Sequence, residues 1–234
     1  MKFIIENKVF EILDNLCVAL VIAEGINNTE KNDEISSIFK ENILKAQSDF
    51  ENIKVKEIKS IKCYRDAFQK LNINPNKFMC SIEALLTRIS KKKGMPEINS
   101  AVDLVNAVSI KYKLPMGAHD LDSMNNQDFC IRYSVNNDSF IPFGETNSEK
   151  VDNNELVYAV SNDVRTRRWI WRQSEHGKIT ESSSNIIFPI DAFAGINDDI
   201  AVKARDELSV LLSKFFNCSI KTAFIDSENN YTEF

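Results

Sequence analysis

The sequence is poor in the residues that punctuate loops and fibres. Its 234 residues include only 6 Gly and 5 Pro, which excludes a collagen-like or low-complexity chain. No apolar run reaches the roughly 20 residues that a membrane helix needs. The longest candidate, LCVALVIAEG from Leu16, stops after about eight apolar positions and suits a buried strand. The opening MKFIIENK lacks the apolar stretch and small-residue cleavage site of a secretory signal, so a cytoplasmic protein is expected. Five cysteines (Cys17, Cys63, Cys80, Cys130, Cys218) are scattered without a CxxC, and are read as reduced thiols. With two His, neither at ligand spacing from a Cys pair, no zinc site is expected. There is no GxSxG elbow, and the lone Gly177-Lys178 pair lacks the preceding glycine of a phosphate loop. No metal and no cofactor are expected.

What is present is an ordinary globular composition, 43% hydrophobic and 27% charged, with a formal net charge of -5. That charge disfavours non-specific nucleic-acid binding over the whole surface but leaves room for a local basic patch. The first half reads as mostly helical after an opening strand. Apolar residues recur at helical spacing over residues 29–50, 55–71 and 81–92. INSAVDLVNAVSIKYKLP is the next helix, with Ser100 and Asp103 at capping-box spacing. Beyond Pro115 the character becomes β. FCIRYSV, FIPF, LVYAVS, RRWIWR and NIIFPI are strand candidates. An amphipathic helix over residues 198–216 and a last strand, SIKTAFI, complete an α+β unit, expected as a single domain over residues 1–234.

Three stretches carry possible chemistry. Residues 98–124 end a buried helix in a glycine-containing turn that presents His119, Asp120 and Asp122, either as capping groups or as an acid-base cluster. Asn106, polar inside that apolar helix, either bonds a nearby turn or lines a pocket, since burial without a partner costs about 1–3 kcal/mol. Residues 165–180, RTRRWIWRQSEHGKIT, hold five cations, two Trp and one acid. As a strand, one face would carry Arg165, Arg167, Trp169, Trp171 and Gln173, and the other Thr166, Arg168, Ile170, Arg172 and Ser174. Neither face is purely apolar. Either the Trp pair is core with Arg stems at its edge, or aromatic and guanidinium faces stack on bases while other cations meet phosphates. Glu175 follows among polar residues, where a carboxylate either reads a ligand or is solvated. The third stretch, with Lys59, Lys62, Arg65, Lys70 and the run Lys91 to Lys93, reads as solvated helix faces.

Three segments in order, YRDAFQKLNINPNKF, then SIEALLTRISKKKGMPEINSAVDLVNAVSIKYKLPMGAHDLDSM, then RRWIWRQSEHGKITESSSNIIFPIDAF, resemble stand-alone relatives of one module. It is the tRNA-binding editing module, the third-and-fourth domain, of the phenylalanyl-tRNA synthetase beta subunit. The resemblance is best over residues 60–195, on an INxxVDxxNxVxxxxxxPxGxxDLD run and a WxWRQSExxxIT run. It implies a β-sandwich of unusual topology packed by helices, and a pocket for the aminoacylated 3′ end of a tRNA, with no DNA or membrane partner. It further implies hydrolysis of the ester of misacylated tRNA. By the same resemblance Asn106 and Glu175 are pocket residues. Backbone amides near Gly117 and Ala118 would receive the oxyanion, each such donor being worth about 2.7–4 kcal/mol in other hydrolases. Arg165, Arg167, Arg168, Trp169, Trp171, Arg172 and Lys178 would meet RNA. One departure stands out. Gly117 occupies the position where many synthetase sequences carry a pocket histidine, and His119 lies two positions later. An aminoacyl-tRNA deacylase acting in trans and a non-catalytic RNA-binding module are therefore both expected readings, with a small-molecule pocket as a third.

Overall fold

The apolar run at Leu16 is a central strand. In the computed structural model, which covers residues 1–234, β1 (Lys2–Ile5) leads through a short helix α1 (Asn7–Phe10) into β2 (Leu16–Glu24). All but the last residue of β2 are buried, so both its faces are covered. Four helices follow: α2 (Asp33–Asp49), α3 (Lys59–Lys70), α4 (Ser81–Ser90) and α5 (Ser100–Tyr112). The helix expected from residue 55 begins at Lys59, because a 3-10 turn at Val55–Glu57 ends on Ile58 in an extended conformation. Asn32 caps α2, accepting from the amides of Glu34 and Ile35, and Asp33 and Glu34 complement the positive end of the helix. The cap of α5 is Asn99 rather than Ser100. Asn99 accepts from the Val102 amide, Asp103 accepts from the Ile98 amide, and the Ser100 hydroxyl is spent on Glu30 O.

The second half is β-rich: β3 (His119–Asp120), β4 (Phe129–Tyr133), β5 (Ser139–Phe140), β6 (Glu149–Lys150), β7 (Leu156–Val160), β8 (Asp163–Arg167), β9 (Arg172–Gln173) and β10 (Asn185–Phe193). Helix α6 (Asp198–Phe216), β11 (Ser219–Ile225) and β12 (Tyr231–Glu233) close the chain. Only the first residue of FIPF and the residue before it lie in a strand. The strand expected through RRWIWR is not continuous. β8 stops at Arg167, and the chain turns through Arg168 and Trp169, both with positive φ (45° and 59°), before β9 starts at Arg172. The two-faced alternation expected over residues 165–174 therefore does not apply.

The strands form two facing sheets. One has the order β12-β1-β4-β7-β8-β5-β6, with β9 paired to β8, and the other the order β11-β2-β10-β3. In the first sheet β1 and β4 run parallel, as do β5 and β8, and the other pairs are antiparallel. In the second, β2 pairs with β10 in a register running from Cys17↔Ala192 to Glu24↔Asn185, extended by Leu16↔Phe193. The inner faces meet through Asp191 on β10, which bonds Tyr158 on β7, and through His119 on β3, which packs on Phe129 and Tyr158. Helix α6 covers the outer face of the second sheet and α5 packs on α6, while α3 and α4 close one end of the sandwich through Tyr64, Phe68 and Ser81. The result is the expected α+β fold, with one core cluster running through both sheets and the helices. All five cysteines are free thiols. No helix is long and apolar enough to cross a membrane.

Candidate functional site

The pairing of β10 with residues 115–120 decides which side chains meet. Ile187 lies opposite His119, Met116 bridges Ile190, the Gly117 amide donates to Pro189 O at 2.9 Å, and the Asp191 amide donates to Pro115 O at 3.2 Å. Alternation then places Pro115, Gly117 and His119 on the same inner face as Asp191, Pro189 and Ile187. A cavity of about 80 Å³ opens there. Its second wall is the turn through Trp169, Ile170 and Trp171 with Arg172 and Gln173, and Tyr158 and Thr166 complete it from the opposite sheet.

Asp191 is a buried acid in this cavity, only 2% exposed. Its Oδ1 accepts from the Tyr158 hydroxyl at 2.8 Å and from Trp169 Nε1 at 2.7 Å. Its carbonyl accepts from the Tyr64 hydroxyl, which in turn accepts from Asn197 Nδ2. Oδ2 has no protein donor and is not sealed from the cavity. Burial pushes the carboxyl up to about 7, against the opposing pull of the Tyr158 and Trp169 hydrogen bonds. The Trp169 contact also explains the turn. Two consecutive left-handed residues are costly, at about 1–3 kcal/mol each. They are held by Glu155, which accepts from the Arg168 amide, by Leu156 O on the Trp169 amide, and by Asp191 on the indole.

His119 also lines the cavity and stacks on Tyr158, ring centres 5.9 Å apart, while the Tyr158 hydroxyl bonds Asp191. It is 3% exposed. Burial, helped by the nearby Arg165 charge, holds it down at about 3, so the ring is neutral. Nδ1 is sealed without a partner, while Nε2 points toward Gly117. A Cβ at position 117 would meet His119 Nε2 at 3.1 Å and Pro189 Cγ at 3.2 Å. The imidazole therefore fills the space beside residue 117, and only glycine leaves it there without displacement. The Gly117 amide, expected as an oxyanion donor, is engaged by Pro189 O and is not free to serve. The Ala118 carbonyl accepts from Gln173 Nε2 at 2.7 Å and ties the two walls together.

The cations of residues 165–178 divide in two. Arg167 is buried and grips Glu155 bidentately, Nε to Oε1 at 2.9 Å and Nη2 to Oε2 at 2.8 Å. Arg165 is buried against Ser123, with Nη1 donating to Oγ at 2.7 Å; its Nε lies 3.1 Å from Asp163 Oδ2, close enough for an ion pair but without hydrogen-bond geometry. It also packs across Gly177, where an added Cβ would meet Nη1 at 2.1 Å. Arg168 is half-buried, pairs with Asp152 and Glu155, and stacks 4.0 Å from the Phe78 ring centre and 4.8 Å from that of Trp171. Arg172 lines the cavity beside Trp171. Lys178 is paired with Glu175, whose Oε2 also accepts from the Gly144 amide at 2.9 Å.

The structure thus brings together Gly117, His119, Trp169, Trp171 and Arg172 of the residues singled out in the sequence, with Ala118 tied in through Gln173. Glu175 and Asn106 do not line the cavity. Asn106 is half-buried on α5, in the helical layer. Sequence reasoning missed Asp191 and Tyr158. The signal was an acid inside NIIFPIDAF, a run otherwise apolar, which has no reason to be there unless it is bonded or functional.

The model of the B3/4 domain family matches residues 63–217. The chain belongs to the B3/4 domain family. The matched span of this B3/4 protein includes both walls of the cavity. Among solved structures it is similar to an N-terminal fragment of the phenylalanyl-tRNA synthetase beta subunit from Pyrococcus horikoshii, at 11% identity and a TM-score of 0.41. That likeness covers 93% of this chain and 49% of the other, so the chain spans about half the length of the fragment. A comparison with curated proteins finds no match.

Proposed function

We propose that this B3/4 protein binds tRNA and hydrolyses, in trans, the ester of misacylated aminoacyl-tRNA, with the cavity between the sheets receiving the aminoacyl group. The observation that carries the reading is the convergence of the two stretches on which the resemblance rests. Residues 115–119 and 169–173 are distant in sequence and line one cavity, together with Asp191. In this reading His119 supplies the imidazole that the synthetase sequences carry two positions earlier. A neutral ring there orients a water instead of adding charge. The water oxygen attacks the ester carbonyl, the ribose oxygen leaves, and the proton released by the water passes to the departing oxygen. Catalysis is chiefly positioning.

The RNA strand would approach over Arg172, Trp171 and the Arg168–Phe78 stack, where aromatic and guanidinium planes are already layered. Arg165 and Arg167 support that surface from within, and Lys178 flanks it. Glu175 and Asn106 take no chemical step in this reading. The test is to incubate the protein with tRNAs charged with a panel of amino acids. Release faster than buffer is expected for at least one pair, and no release for any pair overturns the proposal. A second reading, tRNA binding without hydrolysis, is favoured by the engaged Gly117 amide, which removes one oxyanion donor. It predicts salt-sensitive tRNA binding with no release.

A further inference from the structure

Asp191 is a buried acid with no cation beside it. Its Oδ1 is saturated by two neutral donors, Tyr158 and Trp169, and only its Oδ2 faces the cavity. Arg172, the cation that also lines the cavity, makes no ion pair with it. A carboxylate left in that state lowers stability, whereas a cation placed against Oδ2 would be held by charge with little competing water. The walls around it are Tyr158 and Trp169, which meet the carboxylate through their O–H and N–H edges, and Trp171. The space is small. An apolar cavity that holds benzene measures about 150 Å³, and this one is about 80 Å³. Its enclosed part suits a small amino-acid unit better than one carrying a phenol ring.

We infer that Asp191 Oδ2 is the anchor for the primary ammonium group of a small amino-acid unit, bound against Tyr158 and the two tryptophans. The inference rests on the reading of the cavity as the place that receives an amino-acid group. It adds the recognising residue, the charge of the ligand and a preference for a small side chain. The ammonium donates to Oδ2 while Tyr158 and Trp169 keep the carboxylate from rotating. Free amino acid and aminoacyl group share this ammonium, and they differ in whether the neighbouring carboxyl is charged.

Both tryptophans of the chain line the cavity, so their fluorescence and the Trp169 indole N–H resonance report its occupancy directly. The experiment titrates the intact protein with alaninamide, alanine and N-acetylalaninamide at about pH 7.5, where an α-ammonium is still mostly protonated. Alaninamide stands for the aminoacyl group, alanine for the free amino acid, and the acetylated compound has no ammonium. Saturable binding of alaninamide or alanine that shifts the Trp169 indole signal, with no binding of N-acetylalaninamide, is the expected result. Stronger binding of one identifies the source. Asp191→Asn keeps an oxygen for Tyr158 and Trp169, and should weaken binding on the order of tenfold or more. Tyrosinamide should bind more weakly than alaninamide. Equal binding of the acetylated compound, equal binding by Asp191→Asn, or no binding of either small amine overturns the inference. The tRNA panel separates the two proposals. Deacylation without ammonium binding removes the Asp191 anchor alone. Ammonium binding without tRNA binding or release removes the tRNA reading and leaves the anchor.

Discussion

Glu155 and Asp191 are both buried carboxylates, and both help to hold the same turn through Arg168 and Trp169. Glu155 is matched by charge: Arg167 grips both its oxygens and Arg168 adds a further contact. Asp191 is matched only by a phenol and an indole, and keeps one oxygen toward a cavity. The difference separates two uses of burial. A carboxylate with its own arginine is complete within the fold, and removing either partner leaves the other with only its longer ionic contacts. A carboxylate stabilised by neutral donors stays reactive toward protons and cations that arrive from outside. The basic segment that looks like one RNA-binding surface in the sequence is therefore two regions, one inward and satisfied, the other at the mouth of a site.

The comparison breaks most visibly at Glu155. Glu155→Ala should destabilise the protein by about 3 kcal/mol, because the buried Arg167 loses its bidentate partner and keeps only the longer contacts to Glu149 at 3.5 Å and Asp152 at 3.4 Å. The shift of the urea midpoint measures it, and a change below 1 kcal/mol, on the order of a surface pair, would mean that the existing contacts of Arg167 to Glu149 and Asp152 suffice to compensate its charge.

The second contrast is in pH. Asp191 is a carboxyl whose folded value, about 7, lies above its unfolded value near 3.9. Between them the folded chain holds a proton that the unfolded chain has released, so this group makes stability fall as pH rises from about 4 to about 7. His119 acts in the opposite sense. It stays neutral in the fold down to about 3 and is protonated in the unfolded chain below about 6.5, so stability falls as pH drops through that window. The two slopes oppose each other in the wild type. Asp191→Asn should be more stable than wild type above about pH 7, with the advantage shrinking toward pH 4, and His119→Gln should flatten the acid limb. Urea midpoints measured across that range check both signs.

The smallest effect on the fold is expected at Arg172. Arg172→Ala should change stability by no more than about 0.5 kcal/mol. It should still weaken tRNA binding and reduce the salt slope of the binding constant by about 1. An unchanged slope would move the RNA path away from the cavity mouth.

Much of the architecture was legible because burial writes itself into periodicity. The run at Leu16, the helical stripes through α2 to α5 and the long helix α6 stand within the stretches where apolar spacing put them, with α2, α3 and α4 shorter than expected. The cap at Asn99 was displaced by one residue because Ser100 is drawn off to Glu30. The turn at Arg168 and Trp169 was not legible, since nothing local favours left-handed backbone at an arginine and a tryptophan. It exists because Glu155, Leu156 and Asp191 supply partners from other strands. The site was half legible for the same reason. Gly117, His119, Trp171 and Arg172 sit in distinctive stretches, whereas Asp191 becomes a pocket group only once the register of β10 aims it between the sheets.

The position of β2 has a consequence for how the chain reaches this state. Its nine residues lie between β10 and β11, so its backbone groups find their partners only when residues 185–193 and 219–225 are available. Pairings so distant in sequence are slow to close. During synthesis the segment LCVALVIAE must leave the ribosome long before either neighbour is made, as an unpaired apolar strand open to aggregation. Chaperones that shield short hydrophobic segments would engage the nascent chain here, and its maturation would be timed by the arrival of its last strands.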